Sequence, residues 1–475
     1  MRPMIALALL LSLLTGCTAA VQDARPALEG AARAMGGGAT LKSIEFTGTG
    51  DTFSFGQAVA PGAAWPKFTL KSYTLSANYE TSAVRRDQVV VRVDPRGGGV
   101  PAAGEARQIT VGNGDHAWTV AGDAVAPQPR FRAEMQVQLW ATPHGVLRAA
   151  MSRNATLQGR VITFAVPGTF TAKATLNDAQ MVERVQAVYT NQVMGDVTVD
   201  VTYSDYRDFG GVKFPGRIRQ VIGGQPALDL VVTAVRPNVA VDIPLPDAVR
   251  QAANPYGRVT SEAAAPGVWY VTGGSHHSVV IEMKDHVILV ESPLDDSRAL
   301  AVVAEARRLA PNKPIRYVVA SHNHFDHAGG LRAAAAEGIT VVVHESNRAF
   351  FERALAAPAT VTPDHLAKSG KKATVEGVGA KRVLTDGART VEIHHVAGNN
   401  HGDGMLMVYL PAEKLLSQAD MFTPAAPNAP PSTVINPNTV NLADNITRLN
   451  LAVDRHLPLH GRIVPQADLN KASGR

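Results

Sequence analysis

The sequence predicts a two-part α/β chain, a mainly antiparallel β domain followed by a domain in which strands and helices alternate so that sheets are covered by helices. Three observations carry this. At 475 residues the chain exceeds one ordinary hydrophobic core. Its first half consists of short alternating or β-branched runs, such as Ile44-Glu45-Phe46-Thr47-Gly48, Val89 to Val93 and Val197 to Tyr203, broken by turn signals at Asn113-Gly114 and Gly210-Gly211. Its second half alternates apolar strand-like runs with one-faced helical patterns. Prolines at 237, 244, 246, 255 and 266 mark the joint, dividing a β-rich domain at 17–250 from a second domain at 251–475.

The chain opens with Met4 to Leu14, an apolar stretch too short to span a bilayer but suited to the core of a secretory signal. It ends in Leu14-Thr15-Gly16-Cys17, which resembles the bacterial lipobox. The resemblance implies a signal at 1–16, cleavage before Cys17 and lipidation of its sulfur, which anchors the exported protein to a membrane. Thr18 follows where an inner-membrane sorting signal has Asp, implying the periplasmic side of the outer membrane. Cys17 is the one cysteine in the sequence, so the mature chain has no disulfide and no thiolate ligand.

Charge excludes one class of partner. The 46 Lys and Arg against 41 Asp and Glu include no long run of one sign, so the sequence offers no concentrated basic face for nucleic acid. In the β half, His116 and His144 stand alone and are read as structural histidines. The stretch Tyr203-Ser204-Asp205-Tyr206-Arg207-Asp208-Phe209-Gly210-Gly211-Val212-Lys213-Phe214-Pro215 resembles the closing strands of the half-barrel found in periplasmic lipoprotein carriers. That implies a half-barrel-like sheet with an apolar concave face able to hold an acyl chain, or a spacer and docking domain.

In the second half, strands are expected at Val268 to Thr272, Ser278 to Met283 and His286 to Glu291. His276 and His277 lie in the first hairpin loop and are read as solvated, with substrate contact as the alternative. Asp295-Asp296 forms an N-cap region for a helix with Ala299, Val302, Ala306 and Leu309 on one face. A buried strand, Ile315 to Ala320, leads into the most informative stretch, and a helix at Leu331 to Glu337 and a strand at Ile339 to His344 follow. The segment from Phe351 to Ala388 reads as a solvated charged insertion, although Lys368, Lys371, Lys372, Lys381 and Arg382 could draw in an anionic substrate. Met421 to Pro431 is a proline-rich candidate for a substrate-shaping wall. A helix with Leu442, Ile446, Leu449 and Val453 on one face closes the series.

The informative stretch is Ser321-His322-Asn323-His324-Phe325-Asp326-His327-Ala328-Gly329-Gly330, on a strand-to-helix turn. Residues two apart on an extended segment point the same way, so His322 and His324 can bind one metal ion. Asp326 and His327, past the bend, can face a second. This arrangement resembles the H-x-H-x-D-H signature of the metallo-β-lactamase superfamily. By that resemblance His401 is the third histidine of the first site, Asp420 bridges both metals, and His460 completes the second site with Asp326 and His327. The implied fold is the αββα sandwich. Glu291 stands where the family has Asp at the end of an early strand, and is expected to hold a ligand histidine from behind.

Imidazoles and carboxylates without sulfur suit two zinc ions, with iron or manganese as alternatives. Two such ions ~3.5 to 4 Å apart lower the pKa of a shared water towards ~7, so the resemblance implies a hydrolase using a bridging hydroxide, with Asp326 or Asp420 moving the proton. The lack of a cysteine ligand and the presence of Asp420 resemble the glyoxalase-II, lactonase and phosphodiesterase branches. A small ester, thioester or lactone is therefore the leading substrate class, with a phosphodiester or β-lactam as alternatives. The other class of function is a membrane-anchored lipid carrier or scaffold whose metal domain is vestigial. The complete ligand set argues against decay.

Overall fold

Residues 22–252, 254–429 and 434–475 are described by the computed structural model; the expected signal, Cys17, Pro430 and Pro431 lie outside the described residues. Fourteen strands of the first domain pair antiparallel into one sheet, from Gln22–Asp23 at one edge to Ala124–Pro127 at the other. Its seam is the pairing of Gln225–Pro237 with Ser43–Phe53, which joins the last long strand to the first.

Three helices pack on this sheet, Arg25–Met35, Arg132–Trp140 and Pro143–Met151, and the sequence reading missed them. The reason is visible in the second. Met135, Val137 and Leu139 alternate with glutamines as in a half-buried strand, but Gln136 and Trp140 are buried too, so the segment is a helix covered on most sides. The third helix is capped by Thr142, whose hydroxyl accepts from the Gly145 amide at 3.2 Å. Val137 and Ala141 line a cavity of about 50 Å³ with Phe46, Tyr73, Leu75 and Tyr203, and a cavity of about 240 Å³ shares Tyr73 and Gln138 with it.

The second domain is the expected αββα sandwich. A seven-stranded sheet runs from Thr260–Ala265 to Val375–Val378, and a six-stranded sheet from Lys381–Thr385 to Val464–Pro465. The sheets meet through Val279, Ile281, Ile288 and Val319 on one side and Ile393, Val408, Leu415 and Leu457 on the other. Strand periodicity turns the alternate residues outward. Val280, Leu289 and Val318 therefore pack under Val302 and Ala306 of the helix Asp296–Leu309, while Met407 and Leu416 pack under Leu442 and Ile446 of the helix Pro437–Arg448. The Asp295 cap is present, its carboxylate accepting from the Arg298 amide at 3.0 Å.

Two expectations need correction. The domain opens one strand earlier than Val268, because Thr260–Ala265 pairs antiparallel with Val268–Thr272 despite its small side chains. The segment 351–388 is not a bare insertion. It holds the end of the helix Glu345–Ala356, the short helix His365–Ser369 and two strands at the sheet edges. Its charges are solvated as expected: Lys368, Lys371 and Lys372 are exposed, and Lys381 and Arg382 pair with Glu392 and Glu376.

Candidate metal centre

Four strands deliver the cluster at their C-terminal ends. Val287–Val290 ends in Glu291, Ile315–Val319 leads to His322, Leu415–Gln418 to Asp420 and Arg455–Pro458 to His460. The first two of these pair in parallel, as do the last two, so their ends lie side by side. His401 comes from the loop after Thr390–His395, pinned by Asn399, whose side chain accepts from the His401 amide at 2.8 Å. Two non-glycine ligand-region residues are left-handed, Glu291 at φ 70° and Asp420 at φ 60°. Such backbone costs roughly 1–3 kcal/mol and persists where the surroundings enforce it.

The turn at His324 makes the geometry. His324 caps a short helix, Phe325–Ala328, and its carbonyl accepts from the amides of His327 and Ala328 at 3.1 and 2.9 Å. The chain thus bends back, bringing His327 beside His322 with ring centres 4.4 Å apart.

In the first cluster, ligand nitrogens of His322, His324 and His401 lie within 4.8 Å of one another. His322 Nε2, His324 Nδ1 and His401 Nε2 are buried and have no hydrogen-bond partner. The opposite nitrogens of the first two are engaged: His322 Nδ1 with Ser321 Oγ at 2.7 Å, and His324 Nε2 with the Ala58 carbonyl at 3.1 Å. A carbonyl only accepts, so His324 carries its proton on Nε2 and aims the Nδ1 lone pair into the cluster. Burial, reinforced by the neighbouring imidazoles, pushes His322 well below the usual histidine range and His324 down to about 3. All three rings are lowered, which keeps them in the neutral form that binds metal.

The second cluster is bound to itself. His327 Nδ1 meets Glu291 Oε2 at 2.7 Å, while His327 Nε2 lies 2.7 Å from Asp420 Oδ2 and 3.2 Å from His460 Nε2. His460 Nδ1 donates to the Ser275 carbonyl at 2.6 Å. Burial opposes protonation of His327, but Asp420 and Glu291 outweigh it and raise the ring well above its ordinary value. Glu291 is fully buried, and its second oxygen accepts from the Ser321 amide at 2.6 Å. The longer side chain at this position thus holds both His327 and the start of the ligand turn.

Asp420 faces both clusters. Its Oδ2 lies 3.5 Å from His322 Nε2 and 3.6 Å from His401 Nε2, and its Oδ1 lies 3.3 Å from His460 Nε2. Asp326 departs from expectation. It is not among the converging ligand atoms; its carboxylate accepts from Gln57 Nε2 at 2.8 Å and lies 3.3 Å from His276 Nε2. Burial opposes its ionisation, yet His276 and His327 outweigh this and hold it well below the carboxylate range.

His276 is the main residue that the sequence reading misjudged. It is 6% exposed rather than solvated, and it converges with His327 and His460. The adjacent pair His276-His277 was the available signal. His277 is structural, its Nε2 hydrogen-bonded to the Gly461 carbonyl at 3.0 Å. His144 is stacked on Phe214 and lowered to about 4 by burial, and both its ring nitrogens are buried without a hydrogen-bond partner. The proline-rich connection leaves Asp420 and places buried Pro424 against Gly461, next to His460.

An αββα sandwich with two fused histidine clusters at its strand ends defines a metal-binding domain behind a β domain. Residues 271–452 match the family model of the Metallo-beta-lactamase superfamily, so the C-terminal region carries a domain of that superfamily. The chain is 28% identical over 209 residues to "2,4-dinitroanisole O-demethylase subunit alpha" of Nocardioides sp. (strain JS1661), over 42% of this chain and 57% of that protein. It therefore spans little more than half of that relative's length. Among solved structures, a metallo-beta-lactamase from Pontibacter korlensis is similar at 18% identity and a TM-score of 0.36, over 46% of this chain and 98% of that one. One from Hirschia baltica is similar at 20% identity and a TM-score of 0.34, over 46% and 96%.

Proposed function

We propose that this chain is a metal-dependent hydrolase that cleaves an ester, thioester or lactone. The observation that carries the proposal is the convergence of three unpartnered imidazole nitrogens, from His322, His324 and His401, with a carboxylate, Asp420, that also faces His327 and His460. Buried polar atoms without partners are rare in folded proteins, and three aimed at one point fit a cation. His322, His324 and His401 would hold one ion, and His327 and His460 a second, with Asp420 reaching both and Asp326 or His276 completing the second set. Two zinc ions are our reading of the donor set; when bound they supply a Lewis acid and an acidified water.

The chain's own groups do the rest. Glu291 and the Ala58 carbonyl fix the rings of His327 and His324. Asp326, held ionised, accepts the proton of the attacking water and returns it to the departing oxygen or sulfur as the acyl carbon–heteroatom bond breaks. A carboxylic acid and an alcohol or thiol result. The position of Asp420 between the clusters and the lack of a thiolate ligand support the acyl substrates over β-lactams. The name of the Nocardioides relative adds an activated aryl methyl ether to the bonds worth trying.

Membrane attachment through lipidated Cys17 on the periplasmic side of the outer membrane is part of the same reading, and the mass of the mature N-terminus checks it. The substrate claim is tested with a panel of ester, thioester, lactone, phosphodiester, β-lactam and aryl ether reporters. Metal-dependent cleavage confined to esters, thioesters or lactones supports it, and cleavage of phosphodiesters or β-lactams alone overturns it.

A further inference from the structure

The first domain reaches into the metal centre. The loop at 54–66, between the strands Ser43–Phe53 and Lys67–Asn78, lies across the turn that carries His324 and Asp326. Gln57 Nε2 donates to Asp326 Oδ1 at 2.8 Å, and the next carbonyl, Ala58, accepts from His324 Nε2 at 3.1 Å and from Asn323 Nδ2 at 2.9 Å. Main-chain groups continue the seam to the turn bearing His401. The Asp403 amide donates to the Val59 carbonyl at 2.8 Å, and the Gly97 amide donates to the Asn400 carbonyl at 2.8 Å.

These contacts are not those of two domains that merely touch. A passive interface joins exposed side chains, whereas here one loop pairs its backbone with ligand turns separated from it by more than 250 residues in sequence. Each contact also has a chemical consequence. A carbonyl facing His324 Nε2 dictates which nitrogen is free to bind metal. An amide N–H on Asp326 fixes the carboxylate's rotamer without adding or removing charge. Space for this is provided by Gly98. An added Cβ there would lie 2.9 Å from His324 Nδ1 and would overlap the end of the Gln57 side chain.

We propose that Gln57 and the Ala58 carbonyl are positioning groups of the metal centre, so that one site is built from both domains. The inference rests on the metal-centre reading above.

The test uses the full chain and its Gln57→Ala, Gln57→Leu and Gln57→Asn variants, titrated with zinc and with cobalt(II). Leucine keeps the volume of the side chain and removes the donor, which separates hydrogen bonding from packing. The expected result is a 10- to 100-fold loss of affinity for the more weakly held ion in the Ala and Leu variants, with an altered visible cobalt spectrum. Asn, which keeps the amide on a shorter stem, should fall between them and the parent. Circular dichroism and melting temperature establish that each variant is folded, and a variant that does not fold leaves the decision to the other two. Unchanged affinity and an unchanged cobalt spectrum in folded variants would overturn the inference while leaving the metal centre intact. A parent chain that binds neither ion would overturn the metal-centre reading, and this inference with it.

Discussion

The two histidine clusters share Asp420 but are built in opposite ways. In the first, three neutral rings turn unpartnered nitrogens towards one another, and the Ala58 carbonyl sets the tautomer of His324 from behind. In the second, the groups are already in contact: His327 bridges Glu291 and Asp420, His460 approaches both His327 and Asp420, and His276 sits on Asp326. The first cluster is arranged for a cation before one arrives. The second must part some of these contacts to take one, so the two should differ in affinity and in their tolerance of substitution.

The largest effect should come from the first cluster and the shared carboxylate. If the chain is the proposed hydrolase, replacing His401 or Asp420 by Ala should lower turnover by on the order of 10³-fold or more, since these residues would hold the ion that supplies the Lewis acid. His460→Ala should lower turnover less and leave one tightly held ion per chain, read by metal analysis after extensive dialysis. Equal losses at His401 and His460 would mean that the two clusters do not differ in this way. Glu291→Gln keeps the size of the side chain but weakens its hold on His327; it should reduce affinity for the second ion by ~10- to 100-fold, as loss of such supporting bonds typically does. In His276→Ala, a loss of second-ion affinity would make His276 a ligand and not only a partner of Asp326.

A separate effect, on stability and not on metal binding, concerns His144, a buried histidine outside both clusters. Burial lowers it to about 4, against ~6.5 in an unfolded chain. The sign follows from proton uptake. Between these values the unfolded chain takes a proton that the folded one refuses, so its neutral burial is fully tolerated above ~6.5 and becomes destabilising as pH falls towards ~4. The slope amounts to at most about 3 kcal/mol over that window, and His144→Leu should flatten it in urea melts recorded from pH 7 to 4.

How legible these features were in the sequence depends on how locally each is encoded. His322, His324 and His327 could be placed because three ligands lie on one short turn and the backbone there has a simple period. His401, Asp420 and His460 followed only from the resemblance to the metallo-β-lactamase superfamily, since each lies far along the chain from that turn. The alternation of strands and helices likewise gave the αββα layers. Gln57 and Ala58 carried no signal, since their meaning depends on a contact 269 residues away for Gln57 and Asp326. His276 looked like a loop residue because burial of a hairpin tip is a tertiary fact. The helix Arg132–Trp140 was missed because its alternating apolar residues fit a strand as well as a fully covered helix.

The most direct test of the central claim is the metal content of the purified mature chain, measured alongside turnover of its best acyl reporter as metal is removed and restored. About two ions per chain are expected, one released well before the other by a chelator, with activity lost and regained in step. A chain that holds no metal when zinc, iron or manganese is supplied, yet still cleaves the reporter, would contradict that claim.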